Sequence, residues 1–298
     1  MRRRFFPLTL LDPPGVSVPR SLLYLALVVL VGVATLACNA PTPTFTPTPS
    51  PSPTLPVTPS LTPEPSDTGW IAGRQSGVAF RQVDLPTGDV IERVLIVRLD
   101  PDRVRFRVLY TPGTGKRVLE WAAVEKERSP LLVVNGGYFT PEYYATGLVV
   151  SGGEVFGTSY GDFAGMFAVL PGGRVEVRWL ATRPYDPNEM LLEAVQSFPV
   201  LVKPGGVVGF PPDPQDLPAR RTAVAQDVEG RVLFLIAQRG YLTLHAFSRW
   251  LAASDLGIDV ALNLDGGQSS GLYLAAGEAP VVVDSLVPVP VVIVAEER

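Results

Sequence analysis

Two short segments have compositions suited to chemistry. LLVVNGGYF at 131–139 and ALNLDGGQSS at 261–270 each run from an apolar strand into one polar residue and two glycines. Such a strand end would project Asn135 or Asp265 from a rigid frame. Gly136 and Gly137, and likewise Gly266 and Gly267, would permit positive φ and leave backbone N–H groups open to an oxyanion. That chemistry suits a phosphate or sugar phosphate. Asn-Gly and Asp-Gly are also leading hairpin signals, so spacing alone leaves two ordinary turns as the alternative.

Other local patterns add nothing to this set. Gly267-Gln268-Ser269-Ser270-Gly271 has G-x-S-x-G spacing, but a nucleophile elbow needs a helix after its serine and a later histidine. Here strand-like GLYL follows, and the sole histidine, His245, lies upstream. Gly113-Thr114-Gly115-Lys116 resembles part of a phosphate-binding loop. Tyr110 and Arg117 stand where that loop needs Gly and Ser/Thr, so a surface turn is expected. With one cysteine, Cys38, there is no internal disulfide framework and no Cys-rich zinc site. The chain of 298 residues has 25 Lys+Arg and 29 Asp+Glu, a net charge of −4. That balance gives no basic field for nucleic acid, which is not expected as a partner.

The first 67 residues are expected to lie outside the fold. Arg2, Arg3, Arg4 and Arg20 precede an uncharged run, Ser21 to Ala37, that ends at Cys38. Residues 1–37 read as an export segment. Small residues before Cys38 resemble the lipobox of bacterial lipoproteins, with Thr35 where an aliphatic residue is usual, so Cys38 is the expected lipidation site. A plain membrane anchor and simple secretion are the alternatives, and all three place the rest of the chain outside the cytoplasm. Residues 38–67 read as a linker. Pro41 to Ser66 contains 10 Pro, 7 Thr and 4 Ser in 26 residues. Such a stretch favours polyproline II and could reach about 80 Å when extended.

The elements that must position Asn135 and Asp265 lie in 70–298, where no internal boundary is visible. Val90 to Leu99 and Val104 to Tyr110 alternate around Asp100-Pro101-Asp102 and predict a hairpin. Further hairpins are expected at 165–180, around Pro171-Gly172-Gly173, and at 223–237, around Glu229-Gly230. Leu119 to Glu127 has helical composition. Thr243 can cap a helix through Ser254, with Leu244, Phe247 and Leu251 on one face. Strands are expected at 260–264, 271–274, 281–284 and 289–295. No βαβ period appears. The fold class expected is α+β: a mixed, mostly antiparallel sheet with a few packed helices in a single domain.

In order, NGGYF at 135–139, GLVVSGGEVFG at 147–157, AVQSFPVLV at 194–202, RRTAVAQ at 220–226 and ALNLDGGQSSGLYL at 261–274 resemble the phosphodiester glycosidase family. The resemblance spans about residues 75–297. In the family, the helix before NLDGG often carries a glutamate where this chain has His245-Ala246. The resemblance implies hydrolysis of a sugar phosphodiester. Phosphate is a good leaving group, so a strong general acid is less necessary than in ordinary glycoside hydrolysis.

The reaction chiefly needs a cation, a carboxylate and groups that fix the sugar. Arg221 would supply a forked cation, with Arg220 as its surface neighbour. Asp265 would be base, nucleophile or cation ligand. Asn135 would bind a sugar hydroxyl or phosphate. Ser269 and Ser270 would donate hydrogen bonds, and Tyr138, Phe139, Tyr143 and Tyr144 would wall the sugar. His245 is expected to be an ordinary helix residue. No cofactor is required by the sequence, and a divalent cation is left open. The expected function is an extracytoplasmic hydrolase of sugar phosphodiesters or related glycan linkages. Its rivals are a non-catalytic glycan- or envelope-binding module and an exopolysaccharide-processing protein of other bond specificity.

Overall fold

The computed structural model describes residues 66–298. The export segment 1–37, the lipidation site Cys38 and nearly all of the linker 38–67 lie outside the described residues. Among the described residues, Ser66 Oγ donates to Asp84 at 2.8 Å and Asp67 pairs with Arg81.

Three sheets form the structure. The largest has the order β1 (Ile71–Ala72), β2 (Val78–Thr87), β3 (Val90–Leu99), β14 (Val232–Leu242), β13 (Ala219–Asp227), β15 (Ile258–Asn263), β11 (Val200–Lys203) and β12 (Val207–Val208). A five-stranded sheet runs β17 (Val281–Val283), β16 (Leu272–Leu274), β5 (Leu132–Asn135), β18 (Val291–Glu297) and β4 (Val104–Tyr110). The other runs β7 (Glu154–Phe156), β6 (Val149–Ser151), β10 (Glu193–Ser197), β8 (Gly165–Val169) and β9 (Val175–Trp179). Two α-helices, α1 (Val118–Val124) and α2 (Leu244–Ala253), accompany them among the described residues. The fold is therefore more sheet-dominated than the expected α+β balance. It is also not mixed: the strand pairs within all three sheets are antiparallel.

The eight-stranded sheet is buried on both faces. Val224, Phe234, Ile236 and Leu262 meet Phe106, Val134, Phe167 and Ile293 from the five-stranded sheets. On the opposite face, Ala223, Leu233, Leu235 and Ala261 pack beneath Phe247 and Leu251 of α2. The α1 residues Val118 and Trp121 cover Val133, Val292 and Val294. Double burial explains why Val94 to Val97 are all essentially inaccessible, although the strand's ends alternate. It also explains a wrong pairing. The strands 90–99 and 104–110 do not form a hairpin: β3 pairs with β2 and β14, whereas β4 pairs with β18 in another sheet. Alternation reports a half-buried strand and carries no information about its partner.

One irregularity sets up the site. In β13 and β14, Ala219 pairs with Leu242 but Arg221 pairs with Ala237, so β14 bulges between them. Glu92, fully buried, accepts from the Arg239 and Tyr241 N–H groups at 2.7 Å each, and Gly240 takes φ +86°. A bulge re-aims side chains, and this one lies beside Arg220 and Arg221.

Candidate active site

Asp265 follows β15 and Asn135 ends β5. The two are tied directly: Asn135 Nδ2 donates to the Asp265 carbonyl at 2.7 Å, and Asp265 N–H donates to Gly136 O at 3.0 Å. Asn135 Oδ1 accepts from Thr222 Oγ1 at 2.9 Å and from Gly271 N–H at 3.0 Å. Its side chain has no exposure. Asn135 thus meets protein groups on every side and fixes the backbone under Asp265; it presents nothing to a ligand. Both Asn-Gly and Asp-Gly lie outside hairpin turns, because β5 pairs with β16 and β18 and a 3₁₀ turn, Gly267–Ser269, follows Asp265.

The glycines act mainly through size. Of the four, only Gly267 has positive φ, +60°. The Gly136 N–H donates to Val291 O and the Gly266 N–H to Asp265 Oδ1, so neither is free for an oxyanion. A Cβ on Gly136 would lie 2.9 Å from Val291 Cγ1, and one on Gly266 would lie 3.0 Å from Arg220 O. On Gly137 it would lie 2.6 Å from Gln196 O. Gly137→Ala must therefore push the 137–139 segment off β10. Overpacking of this kind costs about 1–3 kcal/mol. We expect a lower urea midpoint together with a loss of turnover as Tyr138 moves, measured by denaturation and steady-state kinetics.

The Asp265 carboxyl is partly buried, and desolvation pushes its pKa up to about 6 against smaller opposing effects from Ser269 and the Gly266 N–H. Arg221 lies against the same loop: a Cβ on Gly266 would sit 3.9 Å from Arg221 Cδ. Arg221 Nε donates to Leu242 O at 3.0 Å and Nη2 to Asp216 Oδ1 at 3.0 Å. Nη1 has no protein partner among the described residues. Burial draws the guanidinium pKa down, and Asp216 opposes that shift. Asp216 carries no motif signal in the sequence. Its carboxylate also accepts from Leu244 and His245 N–H at the start of α2, at 2.9 and 2.8 Å. This bracket holds the arginine fork in one orientation. Arg220, expected at the surface, points the other way. Its Nη2 donates to Ser270 O at 2.8 Å and to Asp284 O at 3.1 Å, anchoring the loop that carries Asp265.

Tyr138 enters the same space. Burial raises the pKa of its hydroxyl, Asp265 adds to that shift and Arg221 opposes it, so the phenol remains protonated. Asn263 Nδ2 donates to Phe198 O at 3.1 Å and to Tyr138 Oη at 2.7 Å. Because a carbonyl can only accept, the amide orientation is fixed, and Tyr138 accepts from Asn263. The phenolic proton is left to donate to a ligand. Phe139 and Tyr143 do not join this wall. They stack on each other at 5.7 Å, and Phe139 packs toward the α1 cluster. Tyr144 sits over Gly113. The aromatic side is instead built by Tyr138, Phe198, Tyr160 and Phe163, with centroid separations of 4.7 to 5.8 Å. Gly147 lets the Tyr160 ring lie on the backbone, and Gln196 Oε1 accepts from the Tyr160 N–H at 2.9 Å.

Ser269 is buried beside the Asp265 carboxyl, and Ser270 is fully buried with its hydroxyl unpartnered. Neither is an open substrate donor. Among the described residues, no three carboxylate, imidazole or thiol groups gather as a metal ion would require.

A comparison with curated proteins finds no match. Among solved structures, the zebrafish N-acetylglucosamine-1-phosphodiester α-N-acetylglucosaminidase catalytic domain, auto-inhibited by its pro-peptide, superposes with a TM-score of 0.58 at 19% identity. That match covers 78% of this chain and 88% of the zebrafish one. A hypothetical protein from Synechocystis gives 0.52 at 14% identity, covering 74% of this chain and 62% of its own. A putative exported protein from Burkholderia pseudomallei gives 0.51 at 14% identity, covering 69% and 74%. At these identities the likeness shows the fold. The phosphodiester glycosidase family model matches residues 129–295, which include β5, the Arg220-Arg221 bulge and the Asp265 loop, more than half of the chain. The chain belongs to the phosphodiester glycosidase family.

Proposed function

We propose that the protein is an extracytoplasmic hydrolase that cleaves sugar phosphodiesters at the anomeric C–O bond. The observation that carries this reading is one carboxylate of raised pKa, Asp265, on a loop that lies against Arg221, a forked cation whose Nη1 has no protein partner among the described residues. Arg221 binds the phosphate oxygens. Tyr138 donates its remaining proton to a substrate oxygen, and the Tyr138, Tyr160, Phe163 and Phe198 rings flank the sugar. Asp265 accepts a proton from water as the water oxygen bonds to the anomeric carbon. The anomeric C–O bond breaks, and its electron pair leaves with the phosphate monoester. A phosphate leaves without a strong acid, in keeping with a site whose other carboxylate, Asp216, is taken up by Arg221 and the α2 N–H groups. Hydrolysis of a sugar-1-phosphodiester in oxygen-18 water tests the reading. Label in the sugar is expected; label in the phosphate would overturn the bond assignment, and firm glycan binding without turnover would favour the binding-module rival.

The N-terminal sequence supports tethering of this domain to a membrane through a lipid on Cys38. Mass spectrometry of protein extracted from membranes should find a diacylated cysteine at the mature N-terminus. An intact Met1 terminus would exclude that processing, and Cys38→Ser should release the domain or leave it unprocessed.

A further inference from the structure

An open, shallow cavity of about 640 Å³ lies beside α2, lined by His245, Arg249, Trp250 and Val208 together with small residues such as Gly206 and Ala246. None of these side chains contributes to the chemistry described above. The sequence motifs give no hint of the cavity, because its members come from one helix face and the β11–β12 hairpin.

Each side chain is set up for recognition. His245 Nδ1 lies 2.8 Å from Phe210 O, a group that can only accept. Nδ1 therefore carries the ring proton, and in the neutral ring Nε2 is left as an acceptor. Arg249 is exposed and forms no ion pair among the described residues. Trp250 is half-buried and held parallel to Phe247, at 6.1 Å and 10°. An aromatic body, a planar cation and a hydroxyl acceptor make a site for a saccharide bearing a negative group.

The start of α2 is hydrogen-bonded to Arg221 through Asp216. Asp216 accepts from the His245 N–H and pairs with Arg221, so a single carboxylate lies between the two. From His245 to Ala253 the helix advances about 12 Å, more than a monosaccharide needs. We infer that the α2 cavity is a second glycan subsite, taking an acidic saccharide unit of a chain whose phosphodiester lies at Asp265. This deepens the hydrolase reading by naming an acidic glycan chain as substrate, and it rests on that reading only for turnover.

Binding and turnover can be separated. The probes are an oligogalacturonate, a phosphorylated oligomannoside and an uncharged maltodextrin of similar length, titrated calorimetrically into full-length Asp265→Asn protein. At least one acidic probe should bind, and the neutral one much more weakly. Adding Arg249→Glu should weaken acidic binding about tenfold or more, and His245→Ala about threefold. In the otherwise unaltered enzyme, Arg249→Glu should leave kcat/KM for a methyl sugar-1-phosphodiester unchanged, since that substrate is too short to reach α2. Failure of both acidic probes to bind, or equal binding by Arg249→Glu, would overturn the subsite. Arg249-dependent binding with no turnover of any phosphodiester would sustain the subsite and sink the hydrolase reading.

Discussion

Asp265→Asn is expected to slow hydrolysis by about a thousandfold and, at neutral pH, to make the protein more stable. The rate loss follows from removing a base that accepts a proton in the transition state, a contribution of about 10²–10⁴. The stability gain follows from the cost of ionising Asp265 in the fold. Its carboxyl titrates near 3.8 in the unfolded chain and at about 6 in the native state, because burial disfavours the charge. Between those values the native protein holds more protons than the unfolded one, so stability falls as pH rises. The contribution is complete below the unfolded value and is lost as pH passes through 6. A shift of about two units corresponds to about 3 kcal/mol, and partial exposure trims this to about 1–2 kcal/mol. For a domain of this size that is about 3–6 °C in Tm. The asparagine retains an oxygen to accept from Gly266 N–H, so the loop keeps its shape. Thermal melts at pH 4 and pH 8 should show wild type and variant diverging only at the higher pH, and kcat/KM of the wild type should rise along an acidic limb near 6. A variant that melts lower than wild type at pH 8 would refute the desolvated-carboxylate account.

The strand at Leu132–Asn135 and the loop after β15 were legible in the sequence, since each is a local pattern of apolar run, polar residue and glycine, whereas the arginine pair stood out only through the family resemblance of RRTAVAQ. The capped helix was legible too: Thr243 Oγ1 accepts from the Ala246 N–H at 3.1 Å, as an N-cap should. What local pattern could not supply was direction. Asn135 and Asp265 look alike as strand-end polar residues, yet burial and hydrogen bonds to Asp265 O, Thr222 and Gly271 turn one into a bracket while the other stays reachable. Neighbours diverge in the same way. Arg220 and Arg221 face opposite sides of one strand, as do Tyr138 and Phe139 in extended chain, so each pair divides between support and site. Asp216 lies only five residues before Arg221 but in a stretch with no motif, and Tyr160 and Asn263 act on Asp265 and Tyr138 across more than 100 residues, so no spacing rule connects them. Asn263 lay within the quoted NLDGG motif and still gave no sign of orienting the Tyr138 hydroxyl.

Arg221→Ala should lower kcat by about 100-fold or more and should also destabilise the fold, and the two effects have different origins. The first is lost stabilisation of phosphate charge, typically worth about 3–4 kcal/mol in the transition state. The second arises because the Asp216 side chain is only 3% exposed and loses its cation. Removing one partner of a buried pair costs about 3–5 kcal/mol. Here the Leu244 and His245 N–H groups continue to hold the carboxylate, so about 1–3 kcal/mol is expected. Arg221→Lys should restore much of the stability and little of the rate, because an ammonium cannot reach Leu242 O, Asp216 and a phosphate at once. Combining Arg221→Ala with Asp216→Asn separates the effects. Neutralising Asp216 removes the unpaired charge, so the double variant should recover stability relative to Arg221→Ala while its turnover stays low. Urea denaturation and steady-state kinetics on the four proteins of this cycle measure both quantities. Recovery of turnover along with stability would show that Arg221 serves only to neutralise Asp216, and the phosphate would then need another cation.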